Sequence, residues 1–236
     1  MNQYGIDINA LEQFMKRPAE EKTTWGRLIQ LAHPFSQYRL ERYDISKAGS
    51  VNLSIPSAQE TTIFVEEGLI TAGSVILEAQ RIFTVNPGSE IILEGKENSV
   101  VYTFSGAPEG NKYSIKREAE DRREKYWGRI ETVVSKDYAG KRIFMRAGEN
   151  SSLEFHCRKT ESYFIHSGKL LVRLRAGRGE DRFFELNEGD ALFTPPGLMH
   201  QRGGLKDTVI IEVSTRDEDS DSFLVEDGQK HKMPNL

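Results

Sequence analysis

The stretch that decides the fold reads Gly148-Glu-Asn-Ser-Ser-Leu-Glu154-Phe-His156, then Glu161 and Gly168, then Gly189-Asp-Ala-Leu-Phe-Thr-Pro195-Pro-Gly197-Leu-Met-His200. Three of its side chains can bind a metal ion, and a fourth can join them. Glu154 and His156 are two residues apart, so on a strand they point to the same side. Glu161 lies on what reads as the next strand and His200 follows a Pro-Pro-Gly turn, so both can close the site from further segments. This spacing is typical of the metal-binding face of a small β-barrel.

The residue types of this group indicate which ion it would take. Two imidazoles with one or two carboxylates suit a divalent transition ion better than calcium or magnesium, which prefer oxygen ligands. The sequence therefore predicts one such ion per chain, with zinc, manganese, iron, cobalt and nickel as the candidates. Two roles stay open for Glu154: a ligand of the ion, or a general base beside it.

These segments resemble the two motifs of the cupin superfamily, Gly-x5-His-x-His-x3–4-Glu-x6-Gly followed by Gly-x5-Pro-x-Gly-x2-His. Within that superfamily the second half is similar to the metal-binding domain of type II phosphomannose isomerases. The similarity rests on Tyr126-Trp127-Gly128, on the four candidate ligands, and on the stretch from Ile211-Glu212-Val213 to Glu226-Asp227. The resemblance implies a metal site formed by Glu154, His156, Glu161 and His200. The chain departs from the pattern at Glu154, where most cupins have histidine and that isomerase family has glutamine, and at Gly204, where many cupins have asparagine.

An internal repeat indicates the architecture. Trp25-Gly26-Arg27-Leu28-Ile29 recurs in the second half as Trp127-Gly128-Arg129-Ile130-Glu131. Further pairs follow each copy: Gly49 with Gly148, Gly68 with Gly168, and Asn86-Pro87-Gly88 with Pro195-Pro196-Gly197. The repeat predicts two cupin barrels in tandem.

The first barrel is predicted to lack the metal site. Alignment of the two copies places Ile55 opposite Glu154, Ser57 opposite His156, Thr61 or Thr62 opposite Glu161, and Ile91 opposite His200. The first barrel would then be structural or interfacial, with apolar residues filling its interior.

The predicted fold class is all-β, with two tandem jelly-roll barrels and a short N-terminal helix at Ile8–Lys16. Short runs bounded by Gly, Pro or Asn predict the strands: 74–77, 81–85, 90–93, 99–104, 169–174, 182–186, 191–194 and 208–213. The predicted divisions are an N-terminal segment (1–20), a barrel without metal ligands (21–110), a charged linker (111–126), a metal-binding barrel (127–225) and a tail (226–236).

Composition excludes several classes of function. A net charge of −4 argues against broad nucleic-acid binding, which needs a basic surface. The single cysteine, Cys157, rules out an internal disulfide and suits a reducing compartment. No signal peptide is apparent, and no stretch approaches the roughly 20 apolar residues of a membrane span. We therefore expect a cytoplasmic protein with neither a membrane nor a nucleic acid as its partner.

An ion with an open coordination position, held in a barrel, can polarise a carbonyl and the neighbouring hydroxyl. The first functional hypothesis is therefore aldose–ketose isomerisation of a sugar or sugar phosphate through an enediol, which the resemblance to phosphomannose isomerases supports. Glu154 is the candidate that carries the proton. Arg158, Lys159 and Arg202 are candidates for binding a substrate phosphate, although each can equally be a solvated cation at a strand end.

Two alternatives remain. If Glu154 lies outside the coordination shell, the other three ligands form the two-histidine, one-carboxylate arrangement of non-haem iron(II) oxygenases. The chain can also be a non-catalytic sugar-binding bicupin in which the ion is structural. The resemblance further implies a homodimer.

Overall fold

The computed structural model describes residues 6–7, 9–32, 37–108, 115–116, 121–234 and 236. Regular structure in this part of the chain is almost entirely β, with two short 3-10 helices at Leu11–Phe14 and Asp219–Asp221. The first of these lies within the predicted N-terminal helix. None of the described helices is long and apolar enough to cross a membrane.

The chain divides into two compact units, here called the first and second barrels. The first barrel comprises Pro18–Asp121 and Thr132–Gly140, and the second comprises Met1–Arg17, Arg122–Glu131 and Lys141–Leu236. This differs from the predicted division in two respects: the N-terminal segment up to Arg17 belongs to the second barrel, and residues 132–140 belong to the first.

In the part of the chain that the structure describes, twenty-three strands make up four sheets. In chain order they are β1 Met15–Lys16, β2 Glu20–Thr23, β3 Gly26–Ala32, β4 Tyr38–Ile45, β5 Ser50–Ser54, β6 Glu60–Glu67, β7 Leu69–Ala72, β8 Val75–Glu78, β9 Ile82–Val85, β10 Glu90–Gly95, β11 Ser99–Gly106, β12 Ile115–Lys116, β13 Asp121–Lys125, β14 Gly128–Ser135, β15 Tyr138–Met145, β16 Leu153–His156, β17 Glu161–Ser167, β18 Lys169–Ala176, β19 Arg182–Asn187, β20 Ala191–Thr194, β21 Leu198–Gly204, β22 Thr208–Thr215 and β23 Ser222–Glu226. All eight predicted runs are strands, with small shifts at their ends. The predicted linker lies partly outside the described residues, and its described part contributes β12 and β13.

Strands β2 to β12 form a seven-stranded sheet and a smaller one, and β1 with β13 to β23 forms a second such pair. The orders are β12-β9-β6-β11-β4-β3-β2 with β5-β10-β7-β8, and β1-β20-β17-β22-β15-β14-β13 with β19-β18-β21-β16-β23. The two large sheets have matching orders, since β6, β11, β4 and β3 correspond to β17, β22, β15 and β14. This equivalence confirms an all-β architecture of two similar halves.

The inward positions of these strands are apolar and fully buried. Ile63, Val65 and Val101 lie in the core of the first barrel, and Ile165 and Val172 in the core of the second, all with no exposed surface. Burial of one such side chain stabilises the fold by about 1.5–3 kcal/mol relative to exposure.

The repeated Trp-Gly-Arg motif has the same backbone in both copies. Gly26 has φ 143° and Gly128 has φ 154°. A Cβ at Gly26 would collide with the carbonyl oxygen of Asp44, and one at Gly128 with that of Phe144. Glycine is therefore required by close contact of two backbones as well as by φ.

The structure corrects the predicted alignment at the candidate ligands. Ala48, with φ 65°, has the left-handed conformation of Gly148 at φ 74°, so Gly49 is not the equivalent glycine. The alignment that follows is therefore shifted, and Ile55 and Ser57 are not the counterparts of Glu154 and His156. Leu53 lies opposite Ile91 as Glu154 lies opposite His200. Thr61 takes the position of Glu161, because it pairs with Val85 as Glu161 pairs with Thr194.

We expect Gly128→Ala to reduce the free energy of unfolding of the second barrel by about 2 kcal/mol or more, because the added Cβ meets a carbonyl that cannot move without breaking the sheet. Gly177→Ala is the matched control: Gly177 also has positive φ, at 58°, but nothing lies within 4 Å of an added Cβ. It should cost only the roughly 1–2 kcal/mol of the left-handed backbone. Urea unfolding followed by circular dichroism compares the two, and equal midpoints would contradict the backbone-contact argument.

Candidate metal centre

Three strands of the second barrel bring the predicted ligands together. Glu154 and His156 lie on β16, and Glu154 stands directly opposite His200 on β21. Glu161 is the first residue of β17. His156, Glu161 and His200 are 6%, 2% and 1% exposed. The strand alternation that motivated the prediction therefore holds through this region.

The four side chains converge on one point. Glu161 Oε1 lies 3.3 Å from His156 Nε2, and Glu161 Oε2 lies 3.2 Å from His200 Nε2. Ligand atoms of Glu154, His156 and His200 all lie within 4.8 Å of one another. The second barrel thus contains a His/Glu group that can hold one metal ion.

Hydrogen bonds on the far side of each imidazole determine which nitrogen faces the centre. His156 Nδ1 lies 2.8 Å from the carbonyl oxygen of Asp221, and His200 Nδ1 lies 3.0 Å from that of Leu198. A carbonyl oxygen only accepts, so each Nδ1 carries the proton and donates. In the neutral rings this leaves Nε2 as a lone-pair donor, which is the form that binds a metal.

The lone pairs at the centre fit a cation. Neither Nε2 has a hydrogen-bond partner among the described residues, although both are buried. Two imidazole lone pairs facing carboxylate oxygens at 3.2–3.3 Å repel one another unless a positive charge lies between them. A divalent transition ion accepts lone pairs of this kind from imidazole and carboxylate. The residues present therefore fit the predicted ion.

Glu161 is fixed by two further contacts. The Tyr163 hydroxyl donates to Oε2, and the Lys159 ammonium forms an ion pair with Oε1. Burial raises the pKa of Glu161, but the Lys159 ammonium outweighs burial and holds that pKa well below its usual range. Glu161 is thus a carboxylate with both oxygens oriented towards the centre.

A buried charge network lies beside the ligands. Asp217 bridges two ammonium groups, at 2.8 Å from Lys159 Nζ and 2.8 Å from Lys141 Nζ, and Lys141 also lies 3.3 Å from Glu212. Burial raises the pKa of Asp217, but the two lysines outweigh it and lower that pKa to about 2. Asp217 is therefore a carboxylate at neutral pH.

Arg202 links Glu154 to the aromatic wall of the site. Its guanidinium lies 3.3 Å from Glu154 Oε1 and stands over the rings of Tyr163 and Trp127, at 5.1 and 5.9 Å from their centroids. Ser222 Oγ donates to Glu154 Oε2 at 3.0 Å. Burial raises the pKa of Glu154, but Arg202 and the neighbouring histidines outweigh it, so the pKa is lowered. Glu154 is held as a carboxylate.

The group opens into a cavity of about 270 Å³. Its charged and polar walls include Glu154, His156, Lys159, Glu161 and Arg202. Two of the three predicted phosphate-binding cations, Lys159 and Arg202, therefore line it. The third does not: Arg158 is not among the lining residues, its side chain is 67% exposed, and it pairs with Glu218 at 2.7 Å. Arg158 follows the end of β16, where strand alternation no longer predicts direction.

Asp221 is a functional residue that sequence reasoning missed. Its carboxylate accepts backbone N–H bonds from Cys157, Arg158 and Lys159, at 3.1, 3.1 and 2.9 Å. The carbonyl of the same residue accepts the bond from His156. Asp221 therefore ties the loop after β16 to the ring that it carries. It stands in an acidic, polar stretch, Asp217-Glu-Asp-Ser-Asp221, in which no pattern marks it.

We expect Asp221→Ala to weaken metal binding by about 10- to 100-fold, the usual effect of losing an outer hydrogen-bonding group. The backbone N–H groups of the loop after β16 lose their carboxylate acceptor, so the Asp221 carbonyl that orients His156 is held less firmly in place. Asp219→Ala is the control, because that side chain is 96% exposed and its only described ion pair is a 3.7 Å contact with Arg123. Chelator competition on both variants measures the affinity, and an equal effect of the two substitutions would contradict this role of Asp221.

No protein-family model and no curated protein matches the chain. Solved structures match its fold. An oxalate decarboxylase studied for a structural element that modulates proton-coupled electron transfer gives a TM-score of 0.68 at 12% identity, over 86% of this chain and 77% of that one. Another, studied for its substrate binding mode, gives 0.68 at 11% identity, over 90% and 79%.

Bacillus subtilis oxalate decarboxylase, in work on its Mn(II) centres, gives a TM-score of 0.67 at 11% identity, over 90% of this chain and 79% of that one. Identities this low carry information on the fold alone. The match extends over both barrels, and the resemblance to phosphomannose isomerases receives no separate support from it. The chain therefore has the all-β, two-barrel fold of the oxalate decarboxylases that it matches.

Proposed function

We propose that the protein is a metal-dependent enzyme that interconverts the aldose and ketose forms of a sugar or sugar phosphate through an enediol. The observation that carries the proposal is the position of Glu154. A fixed carboxylate with lowered pKa shares one cavity with the candidate ligands, and its oxygen lies within 4.8 Å of both imidazoles. A base in that position can reach a substrate bound at the same centre.

The residues that would hold the ion are His156, Glu161 and His200, with Glu154 as a fourth ligand or as the free base. When bound, a divalent ion would polarise the substrate carbonyl and the adjacent hydroxyl. The proton balance then falls to the chain. Glu154 takes the proton from the carbon beside the carbonyl, holds it on the carboxyl group, and returns it to the former carbonyl carbon. The hydroxyl proton passes to the other oxygen, so no external oxidant or reductant is needed.

Arg202 supports this step. Its guanidinium contacts Glu154 and lies at the wall of the cavity, where it is 5% exposed. Negative charge that develops on the enediol oxygens is stabilised more strongly by a fixed cation in such a water-poor site than in bulk water. Arg202 also has a buried Nε with no described hydrogen-bond partner, so it retains a donor.

The cations of the cavity suit an oxygen-rich substrate. Lys141, Lys159 and Arg202 are buried beside the acids Glu212 and Asp217. Alternating donors and acceptors bind the hydroxyl groups of a sugar, and the ammonium groups are suited to a phosphate. Of the three cations predicted to bind a phosphate, Lys159 and Arg202 remain the proposed contacts. Arg158 does not line the cavity.

A second candidate function is oxidative or decarboxylating chemistry on a small carboxylate. The solved structures of similar fold are oxalate decarboxylases, and His156, Glu161 and His200 alone form the two-histidine, one-carboxylate set of iron(II) oxygenases. A non-catalytic sugar-binding role is the third possibility, and metal-loaded protein without turnover would indicate it. The homodimer implied by the resemblance stays a prediction.

We expect His156→Ala and His200→Ala each to lower the metal content of the purified protein from about one ion per chain to near zero, since either change removes an imidazole ligand. The control is His231→Ala, which removes an exposed histidine outside the cavity. Elemental analysis gives the content, and circular dichroism verifies the fold. Full metal content in both ligand variants would overturn the site assignment.

We expect Glu154→Gln to reduce turnover by about 10²–10⁴-fold, the range contributed by a positioned general base. Retained metal with lost turnover would identify Glu154 as the base, and loss of both would identify it as a ligand. Glu149→Gln is the control, because Glu149 is half-buried, lies outside the cavity and pairs with Lys232.

Turnover is measured on a panel of free aldoses and aldose phosphates in D₂O, where isomerisation incorporates deuterium at the carbon beside the carbonyl. The same preparation is given oxalate, with an oxygen electrode in the cell. Deuterium incorporation without oxygen uptake supports the isomerase. Oxygen consumption or loss of carbon dioxide from oxalate would replace it by the second candidate.

A further inference from the structure

The first barrel has a cleft of its own where the second barrel has its metal centre. We call it the first-barrel cleft, and its polar lining comprises Arg39, Glu41, Tyr43, Asn52, Ser54, Gln59, Thr61, Thr103 and Ser105. Its volume is about 170 Å³. The sequence predicted that apolar residues would fill this interior. Leu53, Ile55 and Pro56 do line the cleft, but the other lining residues are polar and the cleft is open.

The strand register shows that residues of the cleft occupy positions equivalent to those of the metal cavity. Thr61 pairs with Ser105 as Glu161 pairs with Ser214, and Ile63 pairs with Thr103 as Tyr163 pairs with Glu212. Thr61 therefore corresponds to Glu161, Thr103 to Glu212, and, two residues before Thr61, Gln59 to Lys159. Each polar residue of the second site in this comparison has an uncharged polar counterpart in the first.

Two of the four candidate ligands, Glu154 and His200, follow a different pattern. Leu53 and Ile91 stand opposite each other in the register of Glu154 and His200. Substitution has thus removed the ion-binding groups and kept a polar wall. Stability does not explain this, because buried polar groups cost free energy to desolvate and their replacement by apolar side chains is often neutral or stabilising. A ligand explains why the wall is polar and the cleft is open.

Glu41 organises the wall without contacting a ligand itself. Its Oε1 accepts from Gln30 at 2.7 Å and Arg39 at 3.3 Å, and its Oε2 accepts from Tyr43 at 2.7 Å and Thr103 at 3.3 Å. Four donors use all of its lone-pair positions. The carboxylate is therefore saturated, and its role is to orient its donors.

The groups left to meet a ligand are both donors and acceptors. Arg39 donates to Gln59 Oε1 at 3.2 Å, which leaves the Gln59 amide nitrogen available. The hydroxyls of Thr61 and Ser105 share one hydrogen bond of 2.8 Å, so each retains capacity for another partner. Arg39 and Glu41 are the only charged side chains among the described lining residues, and they neutralise each other.

From this arrangement we propose that the first-barrel cleft is a second, metal-independent binding site for a small uncharged molecule rich in hydroxyl groups, such as a free monosaccharide. Mixed donors and acceptors match hydroxyls, and the absence of net charge disfavours phosphates and carboxylates. The volume is below the roughly 300–1,000 Å³ of pockets for drug-sized ligands, which limits the ligand to about the size of one sugar ring.

The test uses the full chain carrying His156→Ala and His200→Ala together, so that sugar bound at the metal centre does not contribute. Saturation-transfer NMR titrations with D-mannose, D-fructose and D-ribose should detect binding of at least one sugar by about 10 mM. Chelated wild-type protein provides the same measurement if the double variant does not fold. Glucose 6-phosphate serves as the charged probe and should bind this cleft no more tightly than the free sugars.

Thr61→Val, which replaces one hydroxyl by a methyl group at nearly constant volume, should weaken the binding by about 10-fold. Thr71→Val on β7 is the matched control, because Thr71 does not line the cleft, and it should leave binding unchanged. The proposal is overturned if no sugar binds, if Thr61→Val binds as well as Thr71→Val, or if the phosphate ester binds more tightly than the free sugars and Thr61→Val weakens that binding.

Discussion

The carboxylate of Glu161 lies between the Nε2 atoms of His156 and His200, and the geometry of the second site depends on this contact. Its two oxygens are each 3.2–3.3 Å from one imidazole nitrogen, and both rings are oriented by carbonyl oxygens on their other side. Lys159 and Tyr163 hold the carboxylate in turn. Loss of one partner in such a buried set leaves an uncompensated charge, which typically costs about 3–5 kcal/mol.

The sequence predicts that the four candidate ligands lie together, because the information that brings them together is local. Glu154 and His156 share a short strand, and glycines and a Pro-Pro-Gly turn fix where Glu161 and His200 enter. Lys141, Asp217 and Asp221 could not be predicted, because Lys141 is on β15 and the two aspartates follow β22, and only the folded sheets bring these segments to the site. Outside strands, the sequence also does not predict which way a side chain points. Arg158 and Lys159 are adjacent in the loop after β16, yet Arg158 is exposed and Lys159 is buried.

The all-β fold and its repeat follow from short apolar runs and from glycines at positions whose backbone geometry requires glycine. The alignment of the first barrel failed at one point, where Ala48 adopts a left-handed conformation that normally signals glycine. Because Gly49 was matched with Gly148, the residues that follow were displaced in the alignment. The boundary between the barrels differs from the predicted one for another reason. Residues 132–140 are continuous in sequence with the second barrel but group in space with the first.

Strand β1 has a consequence for the order in which the chain can fold. Met15 and Lys16 pair with Leu192 and Ala191 of β20, and Arg17 reaches Asp190 at 3.0 Å. The whole first barrel separates these two strands in sequence. During synthesis β1 is made before the first barrel, and its partner β20 is made after it. The β1–β20 pairing that closes the second barrel is therefore a contact of long sequence separation, which slows folding. A fragment cut between the barrels would leave β20 as an open sheet edge, a template for aggregation.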